Sequence, residues 1–130
     1  MKTLTLLLIM AAAAVAATAQ SPETLSMKVG QQKTAVHSRL KIRFVGVTED
    51  SRCPARSVCV WAGNAKVKFE VTGRGSGAQA FNANTNVGAR GGTYSSWSVY
   101  LEWLTPAPAA GETLDPKNYE ARFTITGLRR

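Results

Sequence analysis

Ala65-Lys66-Val67-Lys68-Phe69-Glu70-Val71 alternates apolar and charged residues without a break. Only a β-strand, whose successive side chains point to opposite faces, sorts such a run into one apolar side and one charged side. A helix would scatter both kinds around its circumference. The same period returns in Lys41-Ile42-Arg43-Phe44, preceded by Leu40 and followed by Val45-Gly46-Val47. It returns again in Trp97–Trp103 and Tyr119–Thr126. Leu25–Val29, Lys33–His37 and Gln79–Asn82 are weaker candidates and bring the expectation to about seven strands. Turn formers separate them: Gly30-Gln31-Gln32, then Gly73–Gly77, which suits a hairpin between Val71 and Gln79. Longer loops are expected over Gly88–Gly92 and Pro106–Asn118.

Short alternating strands with Gly- and Pro-rich joints predict an all-β fold, an antiparallel immunoglobulin-like (Greek-key) β-sandwich. Its core would take Leu40, Ile42, Phe44, Val67, Phe69, Trp97, Val99, Leu101, Trp103, Tyr119, Phe123 and Ile125. Tyr119, entering the last strand after Leu114-Asp115-Pro116-Lys117-Asn118, fits two readings equally. It is either the tyrosine corner of such sandwiches, its hydroxyl bonded to backbone a few residues upstream, or an amphipathic residue at a strand edge.

Residues 1–19 read as a secretory signal peptide. Lys2 is the basic n-region, Leu4–Ala17 the apolar h-region, and Ala17-Thr18-Ala19 the small-x-small cleavage pattern. The apolar stretch is shorter than the ~20 residues that cross a bilayer. Cleavage before Gln20 would leave a single domain, 20–130, with no transmembrane segment, in the bacterial periplasm or secreted. Lys and Arg number 16 against 8 Asp and Glu, so the formal charge is +8, and +7 once Lys2 is removed. A hydrophobic fraction of 45% supplies a packed core.

Cys53 and Cys59 are the only cysteines. In an exported chain their default is an intrachain disulfide, worth roughly 2 kcal/mol for so small a loop. It would staple the connection between the strands around Leu40–Val47 and Ala65–Val71. A redox dithiol favours a two-residue spacing at a helix start, and a metal site with His37 would need thiols that escape oxidation. A third reading makes the loop a recognition surface that presents Arg52, Arg56 and Trp61 outward.

The residues Asp50, Ser51, Arg52, Cys53 and Pro54, with Cys59, Val60, Trp61, Ala62 and Gly63, resemble a motif shared by small exported bacterial proteins. The likeness extends through the flanking strands and the Leu104-Thr105-Pro106 to Tyr119 ending. It implies a signal-bearing, disulfide-linked β-domain and supplies no substrate, cofactor or catalytic residue.

Chemistry is sparse elsewhere. His37 is the only histidine, which excludes mechanisms needing two imidazoles. No Gly-x-Ser-x-Gly elbow, Asp-x-Asp-x-Asp calcium run or helix-opening glycine loop is present. Glu70, Glu102 and Glu120 fall on outward strand positions. We therefore expect no enzyme and no cofactor. Lys41, Arg43, Lys66 and Lys68 occupy outward positions on two strands, with Glu70 at the margin and Arg122, Arg129 and Arg130 as extensions. Such a face would attract an anionic envelope polymer, or simply keep strands from pairing edge to edge. Aromatic residues do not interleave with these cations, so no specific nucleic acid is expected. The function expected is a binding or envelope-associated module meeting a polymer or a periplasmic or extracellular protein. The alternatives are a structural accessory domain and an enzyme inhibitor presenting the Cys53–Cys59 loop.

Overall fold

The computed structural model describes residues 21–75 and 77–128. The expected signal peptide, Arg129 and Arg130 lie outside the described residues. Among the described residues eight strands form in order: β1 (Glu23–Lys28), β2 (Gln32–Thr34), β3 (Lys41–Asp50), β4 (Ala65–Thr72), β5 (Gln79–Asn84), β6 (Gly91–Tyr94), β7 (Trp97–Thr105) and β8 (Glu120–Gly127). A 3-10 turn, Pro116–Asn118, precedes β8. Among the described residues no helix is long and apolar enough to cross a membrane.

The strands make two antiparallel four-stranded sheets, β1-β8-β7-β6 and β2-β3-β4-β5. Apolar positions of both sheets meet in one core, where Phe123 of β8 lies 4.8 Å from Phe69 and 6.1 Å from Phe44, centroid to centroid. β4 shows how the alternation does this: Ala65, Val67, Phe69 and Val71 are buried while Lys66 and Lys68 are exposed. The all-β, two-sheet expectation is met, with one disulfide. Consecutive strands are neighbours throughout the second sheet and in β6-β7-β8, while β1 lies beside β8, the last strand.

β6 is the strand that pattern reading leaves in a loop. Glycine is a poor strand former in general, but here the close approach of β7 demands it. A Cβ on Gly91 would overlap the Val99 carbonyl oxygen. Arg90, just before it, donates to the carbonyls of Thr85, Leu101 and Glu102 and holds the preceding loop against β7.

Two core assignments need correction. The β7–β8 register shifts between Leu101 and Trp103, so Trp103 stands opposite Arg122 and only half-buried. A bulge adds one residue to one strand and reverses the facing of the residues after it. Leu104 therefore takes the inward place, 6% exposed. Trp97 is also half-buried, packed on the core's rim. Met27 of β1 and Tyr94 of β6, strands with weaker patterns, join the core, as does Ala121 of β8.

Candidate functional site

β3 and β4 run on past their ends into the cysteine segment. Ser51 N–H donates to Asn64 O at 2.8 Å, and Cys53 N–H donates to Ala62 O at 3.0 Å. Gly63 allows this approach: it has φ +73, and a Cβ there would overlap the Ser51 carbonyl oxygen. Asn64 Oδ1 accepts from the backbone of Asn86 and Val87, which brings the 85–88 loop alongside. Ala55 N–H donates to Pro108 O at 2.8 Å. Beyond these anchors Cys53 and Cys59 are joined, closing the loop as expected.

The base of the loop is a second lock. Asp50 accepts from Arg52 Nε at 2.9 Å and Arg52 Nη2 at 2.8 Å, in a bidentate pair. Arg52 also donates to Leu104 O at 2.7 Å and Pro106 O at 2.8 Å. Tyr119 Oη donates to Asp50 Oδ2 at 2.7 Å. The side chains of Arg52 and Asp50 are only 13% and 11% exposed. Burial by itself would raise the Asp50 carboxyl, but bonds from Arg52 and Tyr119 and the Arg52 charge leave it below its ordinary value. Burial, then the bond to the Asp50 carboxylate and its charge, push the Tyr119 phenol up to about 12.

This lock revises two expectations. Arg52 is not presented outward; it is spent inside the fold, tying the end of β3 to the end of β7. Tyr119 is buried, as its place in the expected core requires, and its hydroxyl bonds a carboxylate of the other sheet instead of the upstream backbone that a tyrosine corner uses. The Asp-Ser-Arg lead-in and the Leu-Thr-Pro to Tyr ending, remote in sequence, are one network in space.

What the loop does present is its tip. Val58 and Val60 are fully exposed, Trp61 is 59% exposed, and Arg56 is exposed with φ 64. Val87, on the loop bonded to Asn64, is 53% exposed. Sequence reading singled out Arg56 and Trp61 and passed over Val58 and Val60. Their signal was an apolar Val-Cys-Val-Trp run with no strand of its own to bury it.

The structure brings Lys41, Arg43, Lys66 and Lys68 to the outer face of the second sheet. Glu70 is not marginal there: it stands directly opposite Arg43, 3.9 Å away. A register shift in β3 also turns Glu49 onto the face, 3.3 Å from Lys66. Two of the four cations thus have acidic neighbours. Arg122 lies in the other sheet and does not extend the patch. His37 falls in the turn after β2, its backbone N–H bonded to Glu23 Oε1 at 2.7 Å.

Comparison with family models, with curated proteins and with solved structures returns no match for this chain. Geometry and chemistry alone carry the functional reading.

Proposed function

We propose that the chain is an exported, non-enzymatic module that binds a protein partner through the tip of its disulfide-held loop. The observation that carries this is the outward placement of Val58, Val60 and Trp61 on a loop whose base is fixed. Folding normally hides such side chains, each worth roughly 1.5–3 kcal/mol when buried. Apolar groups grouped in solvent mark interaction surfaces, and tryptophan is among the residues that dominate interface energies. The disulfide and the backbone bonds at the loop base order the loop before it binds, which lowers the entropy lost on association.

Export is supported by the disulfide and by the leader pattern at 1–19; the periplasm or the medium is the proposed location. The motif resemblance to small exported bacterial proteins belongs to the same proposal. Its Asp50, Arg52, Ser51 and Gly63 frame the loop, which leaves Val58, Val60 and Trp61 free to meet a partner. A partner with a concave apolar site suits this tip, and an enzyme whose cleft receives the loop is one form of it. The basic face fits a polymer partner less well because Glu49 and Glu70 sit within it.

Photocrosslinking from position 60 of the oxidised protein, in the cells that produce it, tests the proposal. The expected result is a discrete protein adduct that survives high salt and the Lys41, Arg43, Lys66 and Lys68 to Ala changes. It disappears in the Cys53→Ser/Cys59→Ser variant and on Trp61→Ala. An adduct that follows the basic residues and fades with salt overturns the reading, as does none above that from a probe at Lys28.

A further inference from the structure

The end of the second sheet away from the disulfide holds a different feature. Lys41 opens β3 opposite Thr72, which closes β4. The turn before β3 and the glycine turn after β4 flank this pair. Together Arg39, Lys41, Thr72, Gly73, Arg74 and Gly75 line an open cleft of about 260 Å³. Three cations line it and no carboxylate does. All three are exposed, and among the described residues none of their side chains has an ion-pair partner. Arg43 and Lys66, on the same sheet face, each have an acidic neighbour. Lys68, farther along the same face, also lacks an ion-pair partner among the described residues, so the cleft is set apart by three cations lining one space.

The backbone of the two turns that flank the cleft is held in place. Arg39 has φ 60, a conformation that L-residues avoid. Its turn is closed by Arg39 N–H donating to Ala35 O at 3.0 Å and Ala35 N–H donating to Leu40 O at 2.9 Å. Glu23 reaches over from β1 and accepts from the backbone N–H groups of His37 and Ser38. On the other side, Gly73 N–H donates to the hydroxyl of buried Tyr94 at 2.9 Å, and that hydroxyl donates to Gly77 O at 3.0 Å. Both arms of the cleft are thus pinned through groups from the opposite sheet.

We propose that this cleft binds a phosphate-type oxyanion. Guanidinium groups present paired N–H donors that match two oxygens of one anion, and an ammonium adds a compact point charge. Two arginines and a lysine converging from both sides of one cleft suit an anion with more than two acceptor oxygens. Three like charges in one small space repel each other until such an anion neutralises them. The anion is either free inorganic phosphate or the phosphate of a lipid headgroup; the chemistry recognised is the same. The site is independent of the loop tip, since β3 with its ten residues separates the two by about 30 Å at ~3.3 Å per residue.

Calorimetric titration with inorganic phosphate at constant ionic strength, set beside sedimentation with phosphatidylglycerol vesicles, tests it on the oxidised protein. Saturable binding of phosphate is expected, weakened at least tenfold by Arg39→Gln/Arg74→Gln and unchanged by Lys117→Gln on the exposed turn before β8. Lys41→Gln gives a smaller loss and keeps the test intact if the arginine variant does not fold. Binding to vesicles but not to free phosphate, with the same arginine dependence, upholds the site and names the headgroup as its source. Binding to neither, binding matched by chloride, or equal binding by the arginine variant overturns the proposal. None of these outcomes bears on the loop, whose crosslink is read with different variants.

Discussion

Asp50 holds two distant stretches of chain together through Arg52 and Tyr119, and its protonation therefore matters to the whole fold. Its folded carboxyl titrates below the ordinary value. It thus contributes stability that is present above the ordinary carboxylate range and is lost as pH falls through the folded value. Tyr119→Phe removes one of the bonds that lower it. Acid unfolding followed by circular dichroism should then begin at a higher pH in that variant. The phenol has the opposite sign. Raised to about 12 in the folded protein, it favours folding fully below its ordinary value of about 10, and that contribution drains away as pH climbs from there toward 12. Tyr119→Phe should lack that portion of the alkaline loss. Arg52→Met leaves Asp50 poorly exposed and without its cation, and should cost about 3–5 kcal/mol in urea unfolding.

At the scale of single elements, the alternating strands were legible in the sequence and the exceptions to alternation were not. β4 reads off its residues directly because its buried and exposed positions never break step. Trp103 has the same local pattern as Leu101, yet a bulge one residue earlier turns it outward. β6 shows the converse case, a glycine pair that local propensity assigns to a loop and the neighbouring strand recruits. Gly91→Ala forces a methyl against the Val99 carbonyl, so amide exchange should quicken along β6 and its β7 partners while β3 and β4 stay protected. The disulfide belongs to this scale as well. Its six-residue separation implies about 2 kcal/mol of lost stability in Cys53→Ala/Cys59→Ala. Differential scanning calorimetry should show that loss in a transition that remains cooperative, since the core does not pass through the loop.

Across the whole molecule, the candidate surfaces sit at opposite ends of the second sheet, and the sheet between them is continuous and well packed. Sites this far apart with no shared partners behave additively. Saturating the cleft with phosphate should therefore change the yield of the loop crosslink by less than about twofold, and the Trp61→Ala change should leave phosphate affinity where it was. A larger coupling would show that the two ends exchange free energy through the strands.

Period-two alternation is a local property, written in neighbours along the chain, and it was enough to determine the all-β class, most of the core and the outward side of Lys41, Arg43, Lys66 and Lys68. The small cysteine spacing likewise specified the loop. Only the tertiary structure decided the order of the strands in the two sheets, the facing of Trp103, the inward use of Arg52, and the meeting of Asp50 with Tyr119 across 69 residues. It alone decided too that Glu49 and Glu70 would moderate the basic face while Arg39, Lys41 and Arg74 would share a cleft without an acid. Each of these depends on register between strands, and one inserted residue is enough to turn a side chain from one face to the other.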